Sequence, residues 1–506
     1  MRAVLEDHDV LLVSPTGSGK SLTYQVLGLL LDGPTVVVSP LLALGQDQIR
    51  SLADLEGDTS AVRVSSAETD HQQEEALRLI ASGDAEFLFV SPEQLANDEV
   101  LERVAAARPS LVAVDEAHCV SAWGHDFRPD YFRLEEFIHA LGRPRVVALT
   151  ATASPPVRSD IVNRLGMHEP TTIVTGFARP NLTNTVLRST TAREQEDGVL
   201  QAVASTCGPG IVYCRTRRSA EEYAERITNA GVRAGHYHAG MPKRARDLAY
   251  RQFMGGDLDV MVATSAFGMG IDKPDVRFVF HAQVPESPDT YYQELGRAGR
   301  DGEPASVVLF YRPEDLSLGR FFSPAVPARD DVEQLASRVL GQDEVDRQEL
   351  RQVAGLGPRK LGRLLNLLQE VRQTATEPID SVAAWTDAAL EQAEAHRRLE
   401  TSRVEMMRGY AETSRCRWDY LLGYFGEPSP GLCGQCDNCR SGAAQEEEPV
   451  AQEAPFPLQS YVEHEEFGPG TVMDLEEGRL TVLFEQVGYR TLDQAIVLDQ
   501  DLLRRA

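Results

Sequence analysis

Four groups of residues have the types and spacing to do chemistry. Pro15-Thr16-Gly17-Ser18-Gly19-Lys20-Ser21 follows a β-branched run and precedes a helical pattern. Glycines in such a turn let backbone N–H groups curl around phosphate, and the helix start favours an anion. Lys20 would reach the β- and γ-phosphates of ATP, and Ser21 would ligate Mg²⁺. Asp115-Glu116-Ala117-His118 ends the apolar strand Leu111–Val114. An acidic pair there suits a metal-water ligand, Asp115, and a residue that activates the attacking water, Glu116. Arg297 and Arg300 each sit beside glycine, and phosphoryl transfer needs positive charge on the γ-phosphate. Arg300 is favoured as the inserted finger. Cys416, Cys433, Cys436 and Cys439 are spaced C-x16-C-x2-C-x2-C. Four thiolates suit tetrahedral Zn²⁺ with no open position, hence a structural role. The plain alternatives are a Gly-rich helix start, a solvated strand end and a solvated arginine face.

These residues need elements to position them. Strands are expected at Val10–Val13, Thr35–Val38, Glu86–Val90, Leu111–Val114 and Val146–Leu149. A second set is expected at Gly210–Tyr213, Val260–Val262, Val276–His281 and Ala305–Phe310. Strands alternating with helical stretches predict parallel sheets with crossovers. The fold class is therefore α/β with two parallel-sheet lobes, at 1–176 and 177–325, joined through Gly176–Asn181. A helical or winged-helix-like segment is expected over 326–404, and a cysteine subdomain over 405–440. An acidic linker would span 441–455, poor in apolar residues. Short alternating strands with glycine turns over 456–506 suggest a small β-barrel.

The chain has 506 residues and a formal net charge of −27, which argues against a polybasic coat protein or a membrane-surface binder. Residues 441–506 alone hold 14 acidic and 4 basic side chains, so the tail supplies over a third of the net charge. No signal peptide or membrane span is visible. Seven cysteines in such a chain do not read as a disulfide scaffold.

Asp115-Glu116-Ala117-His118 continues into Cys119-Val120-Ser121-Ala122-Trp123-Gly124-His125-Asp126-Phe127-Arg128-Pro129. That run resembles the aromatic-rich loop of the RecQ family of superfamily 2 DNA helicases. Ser39–Leu44 and Ser91–Leu95 resemble DNA-backbone contact motifs, and Leu149–Ala153 a lobe-coupling motif. Val262–Pro274 and Tyr291–Gly302 resemble the fifth and sixth helicase motifs. The resemblance spans about 10–320 and returns at 405–440. It implies RecA-like lobes with ATP between them and 3′→5′ unwinding of single-stranded, 3′-tailed or branched DNA in repair or recombination. It adds His118 and Gln293 to the catalytic set. It also implies a zinc-binding subdomain with Cys416 on a helix, and a cytoplasmic, nucleoid-associated setting. Trp123 and Phe127 would stack on bases, and Arg128 would contact phosphate. The aromatic-Arg…Gln element that reads adenine in such proteins is not found in the 14 residues before Pro15.

Two segments depart from that pattern. Over 326–404, Arg359, Lys360 and Arg363 would contact a DNA backbone. The alternative is a packing helix, because Leu361, Leu364, Leu365 and Leu368 form an apolar stripe. Residues 462–484 resemble the Tudor-like barrel ending UvrD/PcrA helicases, which implies docking to a protein such as RNA polymerase or a repair factor. Competing readings are a DNA-stimulated translocase that unwinds poorly and a nonenzymatic DNA-binding adaptor.

Overall fold

The computed structural model describes residues 1–40, 49, 52, 60–65, 68–121, 131, 133–268, 271–316, 325–340, 356–375, 379–427, 431–445, 455–476 and 478–505. They divide into two units, 1–316 with 407–449 and 317–406 with 450–506. The first unit holds two parallel sheets.

The first sheet has seven strands: β1 (Val10–Val13), β2 (Thr35–Val38), β3 (Ala61–Val64), β4 (Phe87–Val90), β5 (Leu111–Val114), β6 (Arg145–Thr150) and β7 (Thr171–Val174). Their order is β3-β4-β2-β5-β6-β1-β7. Interior strands such as β2, β4 and β5 are buried along their whole length, as both faces of a crossover sheet demand. The helix Lys20–Leu30 lies directly on this sheet. A Cβ at Gly28 would stand 2.6 Å from the Phe87 ring, so only glycine permits that approach.

The second sheet has six: β8 (Leu182–Arg188), β9 (Gly210–Tyr213), β10 (Ala234–Tyr237), β11 (Val260–Ala263), β12 (Phe278–His281) and β13 (Ala305–Tyr311). Their order is β10-β11-β9-β12-β13-β8, all parallel. The edge β8 is covered by the cysteine segment. Val186 N–H donates to Asp437, and the Trp418 indole donates to the Leu182 carbonyl. Such covering removes an exposed strand edge.

In the second unit, the helices Arg329–Val339 and Pro358–Thr374 pack with the first part of Val382–Glu412. Leu361, Leu364, Leu367 and Leu368 close on Trp385, whose indole donates to the Leu368 carbonyl at 2.9 Å. The helix Val382–Glu412 runs unbroken past position 404, where a boundary had been expected. Helices, without a strand, make up the described residues of 326–404. The C-terminal strands β14 (Tyr461–His464), β15 (Gly468–Glu476), β16 (Arg479–Phe484), β17 (Gly488–Asp493) and β18 (Leu503–Arg505) form an antiparallel sheet ordered β17-β16-β15-β14-β18. It sits on the long helix: Ser402 Oγ accepts from Tyr489 N–H at 3.0 Å, and Arg398 donates to the Gln486 carbonyl at 2.8 Å. Among the described residues no helix is long and apolar enough to cross a membrane.

Candidate active site and metal centre

The phosphate loop turns between β1 and the helix Lys20–Leu30. Gly17 and Gly19 both have φ of +78°, a left-handed region that side chains resist. Lys20 Nζ donates to the Ser14 and Pro15 carbonyls at 2.9 and 3.0 Å. An ammonium has three donors, so one remains for an anion. Burial draws the Lys20 pKa below the usual lysine range, while Glu116 and Asp115 pull it upward. Ser18 Oγ accepts from Ser14 Oγ at 2.8 Å. Ser21 follows Lys20 on the first helical turn. The turn's geometry and donors fit a nucleotide's phosphates.

Asp115 and Glu116 follow β5. Asp115 is buried and accepts from Glu116 N–H at 3.0 Å. Glu116 has φ of +49°, a conformation that costs a non-glycine residue energy and often marks a working site. His118 is buried, with Nδ1 3.0 Å from Thr150 Oγ1 and 3.4 Å from Glu116. The Thr150 hydroxyl donates to the Thr152 carbonyl. His118 thus links the acidic pair to the Leu149–Ala153 segment.

The helix Pro288–Leu295 leads into Arg297 and Arg300. Thr16 Oγ1 donates to the Gly296 carbonyl at 2.9 Å, across 280 residues. A Cβ at Gly296 would stand 2.2 Å from Thr16 Oγ1, and one at Gly17 would stand 3.1 Å from Arg300 Cγ. Those glycines permit the two lobes to approach this closely. Arg300 Nη1 donates to Asp272 at 2.9 Å, and burial and then neighbouring Arg297 lower its pKa. Arg297 is buried, with Nε lacking a partner among the described residues. Gln293 is half-buried on the helix, and its side chain makes no hydrogen bond among the described residues.

Sequence reasoning missed Arg179, in what it read as a plain linker. Its guanidinium reaches the Thr16 carbonyl at 3.4 Å and those of Gly296, Ala298 and Gly299 at 3.3, 2.9 and 3.1 Å. The pattern Gly176-Phe177-Ala178-Arg179-Pro180-Asn181 offered only an arginine before proline as a signal. Beside it, Phe177 stacks on Phe425 at 4.6 Å, and Tyr292 donates to the Phe177 carbonyl at 2.8 Å.

The four cysteine sulfurs lie within 4.8 Å of one another. Cys433 and Cys439 Sγ are 3.9 Å apart. Thiolates at about 2.3 Å around tetrahedral zinc stand about 3.8 Å apart, so the cluster fits the ion. Backbone N–H groups of Arg417, Cys433, Gln435, Cys436 and Cys439 point at these sulfurs, at 3.3–3.5 Å. Cys416 caps the helix Arg417–Tyr424.

Other expected DNA contacts are less assembled. Trp123, Phe127 and Arg128 lie outside the described residues, as does the Arg359 side chain. Lys360 pairs with Asp331 at 2.5 Å, and Arg363 donates to the Ala325 carbonyl at 3.3 Å. Their helix turns its apolar stripe into a core, as the packing alternative requires.

Family models match along the chain: DEAD/DEAH box helicase over 1–160, helicase conserved C-terminal domain over 197–302, and RecQ zinc-binding over 370–440. The ATP-dependent DNA helicase RecQ of Bacillus subtilis is 34% identical over 468 residues, 92% of this chain and 67% of that protein. The chain belongs to the RecQ family of ATP-dependent DNA helicases. The probable ATP-dependent DNA helicase RecS of the same organism is 35% identical, over 91% of this chain and 92% of its own. The zinc-binding match begins at 370, inside the helical segment where the RecQ resemblance had been expected to lapse. Among solved structures, Mycobacterium smegmatis helicase Lhr bound to ssDNA and AMP-PNP aligns with a TM-score of 0.52 at 24% identity, over 72% of this chain and 54% of Lhr. The DUF1998 helicase MrfA bound to DNA gives 0.53 at 17%, over 66% and 50%. Both likenesses are of fold.

Proposed function

We propose that the chain moves 3′→5′ along single-stranded DNA, driven by ATP, and separates duplex ahead of it in repair or recombination. The observation that carries this reading is the contact between the phosphate loop and the Gly296–Arg300 turn, where groups from two lobes meet at one prospective nucleotide. A motor needs such a contact, because ATP can then favour one spacing of the lobes and its products another. In this reading Lys20 and the loop Pro15–Ser21 hold the phosphates, and Ser21 and Asp115 hold Mg²⁺. Glu116 activates water and His118 ties it to the lobe-coupling segment. Gln293, Arg297 and Arg300 act from the second lobe, Arg300 as the finger on the γ-phosphate.

Trp123, Phe127 and Arg128 report DNA occupancy to this centre, and Arg359, Lys360 and Arg363 add backbone contacts. Zinc on Cys416, Cys433, Cys436 and Cys439 holds the fold. Residues 456–506 dock a protein partner, and the molecule works on DNA in the cytoplasm at the nucleoid. The test compares ATP hydrolysis with and without single-stranded DNA, alongside unwinding of duplexes carrying a 3′ or a 5′ tail. Stimulated hydrolysis and unwinding from the 3′ tail alone are expected. Unwinding from both tails alike rejects the polarity, and stimulated hydrolysis without unwinding points to a translocase.

A further inference from the structure

A second group of metal-ligating side chains lies on the second lobe, apart from the cysteine cluster. Glu221, His236 and His238 each offer one ligand atom, and these lie within 4.8 Å of one another. Local structure brings them together. His236 is in β10, the edge strand of the six-stranded sheet, and His238 follows two positions later. Side chains two apart along a strand share a face, and the two imidazoles stand nearly parallel, 5.6 Å apart. Glu221 comes from the helix Arg217–Asn229 beside that strand. Its carboxylate meets His238 Nε2 at 2.9 Å.

An ordinary ion pair explains the contact of Glu221 with His238 but leaves His236 over, whose ring makes no hydrogen bond among the described residues and whose contact is the stacking on His238. Two imidazoles and a carboxylate are the donors that borderline divalent cations prefer, zinc among them. Donor atoms around tetrahedral zinc stand about 3.3 Å apart. Closing to that spacing asks for rotation of Glu221, which is 55% exposed, and leaves the strand in place. The Cys439–Cys433 pair, by contrast, needs no such movement.

We propose that Glu221, His236 and His238 form a second divalent transition-metal site on this chain. Three protein ligands leave a position open to water, so the ion exchanges readily, whereas the four-cysteine site is closed. Bound metal ties the helix Arg217–Asn229 to the turn after β10.

The test uses the full chain carrying its cysteine-bound zinc, dialysed against Co²⁺ and washed, with both metals counted by mass spectrometry. The wild type is expected to hold one zinc and one cobalt per chain. His236→Gln and Glu221→Gln are expected to hold the zinc and lose the cobalt. Glu221 is exposed, so its variant keeps the fold, and retained zinc verifies that in each sample. A wild type that binds no cobalt overturns the proposal. So do variants that bind cobalt as the wild type does.

Discussion

The phosphate loop and the cysteine cluster are both turns with left-handed glycines, at Gly17 and Gly19 in one and Gly434 in the other. They are held in opposite ways. The cluster closes on ligands from 416 to 439, fastened by Arg417 on Asp437. The loop takes partners from 163 and 280 residues away, through a hydroxyl, glycines and arginines. The cluster, with thiolates and backbone N–H groups turned inward, has one compact arrangement. The cleft, with a lysine donor to spare and an arginine nitrogen that has no partner among the described residues, has groups left over for a ligand. Coordination thus holds a segment by its own ligands, whereas replaceable polar contacts join the two lobes.

This contrast can be broken by asking which substitutions cost rate and which cost stability. The largest effect is expected for Arg300→Ala. If it is the finger, ATP turnover falls by about 10³-fold, roughly 4 kcal/mol of barrier. Its melting temperature should stay within about 2 °C of the wild type, since the site is not a core. Steady-state phosphate release and calorimetry read the two quantities, and near-normal turnover rejects the finger. Next is Cys436→Ser, expected to lose zinc and about 3 kcal/mol of stability, because the metal's binding energy is also folding energy. Zinc content and a melting curve check this. A zinc-free variant that melts like the wild type would mean that the packing of the helix Arg417–Tyr424 suffices without metal. The smallest effect is expected for Arg179→Ala, about a tenfold loss in kcat with KM little changed, or about 1.4 kcal/mol. Arg179→Lys should not restore it, because a single ammonium does not fork across several carbonyls. Recovery with lysine would show that charge alone acts there.

The limits of sequence reading follow one rule. Every interior strand of the two parallel sheets was legible, from β1 to β13. Four strands were missed: β3, β7, β8 and β10. All four are edges. Interior strands are apolar throughout because both faces are covered, which makes a continuous run. Edge strands are only half covered, and Ala234-Gly235-His236-Tyr237 or Thr171–Val174 carry no such run. The long helix Val382–Glu412 was hidden differently, since its first part packs in one unit and its end in the other.

The sequence by itself determined the local chemistry. The turn Pro15–Ser21, the Asp115–His118 strand end, the cysteine spacing and the family resemblance could all be read, because each depends on neighbours within a few residues. Tertiary structure alone decided which distant groups meet. It put Gly296 against Thr16, Thr150 under His118, Asp272 on Arg300, Arg179 across both lobes, and Glu221 beside two histidines. No local pattern encodes such pairs. Thr16–Gly296 and the Arg179 contacts arise where the two lobes meet, and the others where crossovers within one lobe bring strand ends and helices side by side, so that polar groups must find partners.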